Sequence, residues 1–252
     1  MKRQCFLASL VIFSALVSPS FAKTIDHAEQ YRACMKLVSD FPDEAFDAGL
    51  AWKDLGGGEA AEHCISAALI EMKNYSVGAD RLEKLADESR RPKEFKAQIL
   101  AQAAQAWFLA DQIDRARAVL STAIDLDNTQ AEFYVDRAQM RSAQNAYTDA
   151  LNDLDTALTI AENHVDALIF RGTVHRLVEH FENAWSDINR AVALEPGNPE
   201  ALLERGMLNR IKGEDDQARK DWLDAISQDP QSPTAETARL NLERMDVNQS
   251  DQ

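Results

Sequence analysis

AEFYVDRAQMRSAQNAYTDALNDLDTALTIAENH occupies residues 131–164. Two later stretches of the same length follow directly and align with it without a gap: VDALIFRGTVHRLVEHFENAWSDINRAVALEPGN over 165–198 and PEALLERGMLNRIKGEDDQARKDWLDAISQDPQS over 199–232. Self-similarity at a fixed period of this size is the signature of stacked units, each too small to bury its own apolar face alone. The shared columns are those that helix packing demands. Ala138, Gly172 and Gly206 fall together, as do Ala150, Ala184 and Ala218, and Ala157, Ala191 and Ala225. Leu154, Ile188 and Trp222 supply one large apolar residue per unit. Tyr147 and Phe181 open a second helix, and Pro196 and Pro230 end theirs, because proline cannot continue a helix. Asn145, Glu179 and Gly213 sit in the short turn between the two helices.

One polar pattern recurs with the same period. Arg137, Arg171 and Arg205 lie on the first helix, and Asp153, Asp187 and Asp221 follow sixteen residues later on the second. A ladder of arginines for an acidic ligand does not need a matched aspartate in every rung. The pairing is therefore read as intra-unit ion pairs that set helix geometry rather than adding much net stability.

A period of about 34 residues with these small-residue columns resembles the tetratricopeptide repeat, a helix–turn–helix module. The resemblance implies an all-α, right-handed superhelical solenoid. It covers 131–232 strongly. A fourth window, 97–130, keeps Ala104, Ala116, Leu120 and Ala123 in phase. Pro233 starts a polar capping helix expected over 233–247, and 248–252 is read as a disordered tail. Such a helix covers the apolar face that a last repeat leaves without a successor. Upstream, 23–96 reads as four divergent helices broken by Pro42, by Gly56-Gly57-Gly58 and near Asn74. They form two units at about 29–58 and 59–92, followed by a few extra residues, ESRRPKEF, before the regular repeats.

Residues 1–22 read as a signal peptide: Lys2 and Arg3, the apolar run Cys5–Val17, then Ser20-Phe21-Ala22 as a cleavage site. Cys5 precedes the apolar run, which argues against a lipid anchor, and no later stretch reads as a membrane span. The expected location is periplasmic or secreted, after cleavage near Ala22. Losing Lys2 and Arg3 leaves 25 basic residues against 42 acidic, a net charge of −17. Such a surface repels phosphate backbones and argues against nucleic acid as a partner. Two cysteines then remain. An even count in an oxidising compartment suggests a bond, and Cys34 and Cys64 fall at the same position of adjacent units, so a Cys34–Cys64 disulfide is expected. There is no C-x-x-C to support a redox role.

HRLVEH, residues 175–180, is the stretch most suggestive of a metal site. His175 and Glu179 can share a helix face, whereas His180 lies about 500° round from His175 and should point away. A metal-dependent hydrolase using His175 and Glu179 is the weaker alternative reading. His27, His63 and His164 show no evident partner in the sequence. G-x-S-x-G, a Walker loop and G-x-G-x-x-G are all absent, and the glycines at 56–58 lack the lysine of a phosphate loop. No cofactor, metal or catalysis is expected.

In the tetratricopeptide family the first helix of each unit lines the concave face. Carried over, this gives Gln98, Ala101, Gln105 and Phe108, then Glu132, Val135, Gln139 and Ser142. The later units add Asp166, Ile169, Thr173 and Arg176, then Glu200, Leu203, Met207 and Arg210. Gln105, Phe108, Gln139, Thr173, Arg176, Met207 and Arg210 are the expected contact residues. The lysine-and-asparagine clamp that some members use for a terminal carboxylate is missing. Apolar residues beside Gln, Thr and Arg suit an extended peptide or a partner helix. The resemblance implies an exported bacterial scaffold or adaptor binding another protein; a structural spacer in envelope assembly differs only in lacking a saturable ligand. Nothing in the sequence sets the oligomeric state.

Overall fold

The computed structural model describes residues 26–250. The signal-peptide reading of 1–22 and the last two residues of the expected tail lie outside the described residues. Thirteen α-helices and no strand occur among the described residues. They are α1 (His27–Asp40), α2 (Pro42–Asp54), α3 (Gly58–Glu71), α4 (Tyr75–Glu88), α5 (Lys93–Leu109), α6 (Ile113–Leu126) and α7 (Ala131–Ala143). The rest are α8 (Tyr147–Ile160), α9 (Val165–Leu177), α10 (Phe181–Leu194), α11 (Pro199–Lys212), α12 (Asp215–Gln228) and α13 (Pro233–Ser250). Consecutive helices pair, and the pairs stack into an all-α solenoid. First helices of adjacent pairs touch one another directly: α1 meets α3, α5 meets α7, α7 meets α9, and α9 meets α11. Among the described residues, second helices make no comparable contact with each other. The layer whose successive members touch is the inner, shorter-radius layer, so the odd-numbered helices form the concave side.

The repeat columns are the core. All six alanines at 150, 157, 184, 191, 218 and 225 are fully buried, and so are Leu154 and Ile188. The small residue on each first helix faces the large residue sixteen positions on. A Cβ added to Gly172 would lie 2.7 Å from Ile188, and one added to Gly206 would collide with the Trp222 indole. Ala138 sits in the same core cluster as the less demanding Leu154. Leu154, Ile188 and Trp222 therefore set how small their partner must be, since a close-packed interior has little room to give.

The turn has its own register. Asp111, Asn145, Glu179 and Gly213 recur at the repeat period, and all adopt a left-handed backbone, with φ of 60°, 58°, 61° and 80°. This conformation reverses the chain between paired helices, and only Gly213 takes it without a Cβ penalty. Gly56 and Gly58 are left-handed too, at φ 87° and 54°, so the three glycines serve a tight turn between α2 and α3.

Four boundaries differ from the sequence reading. The first turn of α5 begins at Lys93 rather than at 97, because Pro92 tolerates the position just before a helix. ESRRPKEF is thus split among the last residue of α4, a linker over 89–92 and the first turn of α5. The first two units begin at His27 and Gly58 rather than at 29 and 59, with Asp26 capping α1 through Ala28 N and Glu29 N. The last helix runs to Ser250, into the segment expected to be a disordered tail.

Candidate functional site

The three recurring ion pairs form as the spacing predicts. Arg137 binds both oxygens of Asp153 at 3.0 and 2.7 Å, Arg171 both of Asp187 at 2.8 and 2.7 Å, and Arg205 both of Asp221 at 3.0 and 2.6 Å. Two of the arginines also reach backward by one unit: Arg137 to Ser121 Oγ at 3.2 Å and Arg171 to Asp155 at 2.7 Å. The ladder thus ties each first helix to its own second helix and, at these two rungs, to the preceding one. The Asp187 hydrogen bond holds the Arg171 guanidinium protonated well above its usual range, against the cost of burial.

HRLVEH belongs to this ladder. In the neighbouring units the position of His175 holds Arg141, whose Nη1 lies 2.7 Å from Asp153, and Asn209, whose amide donates to Asp221 at 2.8 Å. His175 Nδ1 is buried with no hydrogen-bond partner. Burial pushes its pKa down, partly offset by the charge of Asp187. The expected geometry of this stretch is corrected in one respect. His180 does not point away: its ring centroid is 5.8 Å from that of His175. The helix ends at Leu177, and the left-handed Glu179 folds the chain back, so the regular helical step per residue no longer applies. Glu179 is exposed, and among the described residues no group of three or more His, Cys, Asp or Glu is placed to hold a metal ion.

The expected contact residues of the groove fare unevenly. Gln139 is exposed and makes no polar side-chain contact within the described residues. Thr173 is half-buried and donates to Ile169 O. Phe108 is half-buried against the central core. Gln105 donates to Asp136 Oδ2 at 2.8 Å, where burial holds the Asp136 carboxyl above its usual range. Arg176 is committed to Glu204 through two bonds of 2.8 and 3.2 Å, joining α9 to α11. Arg210 pairs with Asp215 across its own turn. Met207 packs beneath α13, its sulfur 3.2 Å from Asn241 Nδ2. Arg176, Arg210 and Met207 therefore make their contacts within the scaffold, while Gln139 on α7 is exposed and Thr173 on α9 is half-buried.

A further concavity lies elsewhere. Cys34 and Cys64 form the expected disulfide, with Cα atoms 6.2 Å apart, drawing α1 against α3. Between α3 and α5 the inner layer opens: these two first helices lack the direct contact that the other neighbouring first helices make, and α5 carries an extra turn at its start. The gap is a cleft of about 390 Å³, lined by Tyr31 of α1, Ala60 and His63 of α3, and Phe95, Ile99 and Gln102 of α5. His63 spans it. Its Nδ1 lies 2.9 Å from the Tyr31 hydroxyl and its Nε2 2.8 Å from Gln102 Oε1. An amide oxygen only accepts, so the neutral ring carries its proton on Nε2 and takes the Tyr31 proton at Nδ1. Burial lowers the His63 pKa, with the Gln102 bond acting the other way. His27, also read as unpartnered, accepts from Trp52 Nε1 at 3.1 Å, and His164 caps α9 through Ala167 N. Sequence reasoning missed the His63 site because its partners are 32 and 39 residues away on helices outside the regular register. The visible signal was the break in that register itself.

No family model and no curated relative matches the sequence. Solved structures do match. TTC0263, a thermophilic tetratricopeptide protein of Thermus thermophilus, aligns with TM-score 0.58 and 17% identity over 73% of this chain and 96% of its own. MamA from Desulfovibrio magneticus RS-1 gives 0.57 and 17% over 69% and 97%. YrrB gives 0.52 and 16% over 71% and 90%. At these identities the likeness concerns the backbone path, and on it the chain has the tetratricopeptide-repeat solenoid fold.

Proposed function

We infer that this protein is a non-catalytic scaffold that binds an extended segment of a partner protein on its concave face. The observation that carries this reading is the inner layer of first helices. It presents the exposed amides of Gln98 and Gln139 and the half-buried Thr173, together with an open cleft of about 390 Å³. Amides that both donate and accept suit the backbone of an extended chain, and apolar recesses suit its side chains. YrrB, of the same fold, is described as having an unusual peptide-binding site. That description concerns YrrB, but it supports peptide recognition as a use of this architecture. The disulfide supports export to an oxidising compartment, periplasmic or extracellular, in keeping with the reading of residues 1–22. No helix among the described residues is long and apolar enough to cross a membrane.

The test is capture of partners from periplasmic extract, followed by titration of each purified partner against wild type and against Gln139→Glu/Thr173→Glu. Loss of affinity in the double variant at unchanged thermal stability supports the groove. Equal affinity for both forms overturns it. Met207, packed under α13, is unsuitable as a groove probe because its substitution would loosen the cap.

A further inference from the structure

We propose that the cleft between α3 and α5 takes a large apolar side chain of an internal acidic segment, whose Asp or Glu carboxylate is received by Arg91. The inference rests on the peptide-binding reading above and names the ligand for one end of the groove. Its apolar part follows from the walls. Tyr31, Ala60, Phe95 and Ile99 surround the space, and the buried polar group among them, His63, is already satisfied by Tyr31 and Gln102. An apolar group entering there strips no bond from the wall. The cost of leaving a buried polar atom unmatched therefore does not arise.

The charge follows from Arg91. Its guanidinium lies 3.8 Å from the Phe95 ring centroid at the cleft edge, and it pairs with no carboxylate of the described residues. The inner-helix arginines of the later repeats, Arg137, Arg141, Arg171, Arg176, Arg205 and Arg210, are by contrast all bound to carboxylates. In a protein with formal net charge −15, an exposed cation left unpaired on an aromatic face is a receptor for an anion. Lys93 adds a second cation in an adjoining recess that shares Phe95 and Gln98 as its wall. Glu59 lines the α3 side, and Glu94 and Asp127 line the adjoining recess, where Asp127 already faces Lys93, so the anion is confined to the Arg91 edge. The two recesses meet at Phe95 and Gln98, which lets a chain run past in both directions. An internal carboxylate is favoured over a terminal one for that reason.

The experiment is a positional-scanning library of hexapeptides, acetylated and amidated at the ends, offered to the full chain with its disulfide intact. The expected result is selection of Phe, Leu or Trp beside Asp or Glu, by about tenfold over Ser, the size of one charge-assisted or apolar anchor. Arg91→Gln should abolish the acidic preference and keep the apolar one. Ala60→Trp, which fills the cleft, should abolish both at unchanged melting temperature; if that variant does not fold, Arg91→Gln carries the test alone. Selection unchanged in Arg91→Gln overturns the proposal, and so does a basic consensus or a strong preference for free C-termini. Selection lost only in Gln139→Glu/Thr173→Glu overturns this proposal and leaves peptide binding by the groove standing. Selection of no peptide by any form sinks both.

Discussion

The units α7–α12 and the units α1–α4 solve the same stacking problem by different means. In the later units, each rung is fastened by an arginine–aspartate pair, and a small residue is set against a large one, at an unbroken period. Among the described residues of the earlier units no such arginine–aspartate ladder recurs. A disulfide joins α1 to α3, and a histidine bonded on both ring nitrogens links α1, α3 and α5. Regular packing leaves no room between inner helices, whereas covalent and point fastening tolerates a gap. This cleft lies where the repeat is least regular, so a departure from the period marks a place where the inner helices separate.

Cutting one fastening in each half should give the largest effects. Asp221→Ala leaves Arg205 and Asn209 without their buried acceptor and should cost about 3–4 kcal/mol. Hydrogen exchange should then show loosening confined to α11–α13; protection lost evenly from α1 onward would mean that the ladder is not local. Removing the disulfide with Cys34→Ala/Cys64→Ala should cost roughly 3 kcal/mol by the chain-entropy argument for a separation of 30 residues. Its loosening should fall on α1–α3, and a denaturant midpoint unmoved by reduction would show that the front units stand without it.

Smaller changes sharpen the contrast. Glu179→Gly relieves a left-handed turn that Gly213 already takes freely, and should stabilise by about 0.5–1 kcal/mol, read as a raised melting temperature. A drop instead would mean that the Glu179 side chain holds something the backbone strain conceals. The least effect is pH-dependent. Burial depresses the folded pKa of His63, so its contribution is complete above the ordinary histidine value of about 6.5. It is lost as pH falls through that value, because the unfolded chain then binds a proton that the folded one resists. His175, depressed for the same first reason in the later half, adds in the same direction but is less buried. The melting temperature should fall between pH 7.5 and 5.5 by more in wild type than in His63→Gln; identical slopes would remove His63 from the account.

Much of this protein was legible in order. The repeat columns alone specify helix pairs, their turns at Asn145, Glu179 and Gly213, and the partner of each arginine. These are local consequences of which side chains fall on one helix face and how close two helices approach. The cysteine pairing was legible too, since equivalent positions on adjacent inner helices face alike. Helix ends were less so: Lys93 and Ser250 lie beyond the limits the pattern suggests, because the period says nothing about where flanking residues stop being helical. That Arg176, Arg210 and Met207 make their contacts within the scaffold is visible only in the fold. The steps from Arg176 to Glu204 and from Arg210 to Asp215 are unrelated to the period, and Met207 meets Asn241 only because the capping helix packs over it. Likewise only the fold brings Tyr31, His63 and Gln102 together and leaves Arg91 unpaired. A cleft is set by the distance between helices, and that distance depends on packing across three units, which no single window of sequence contains.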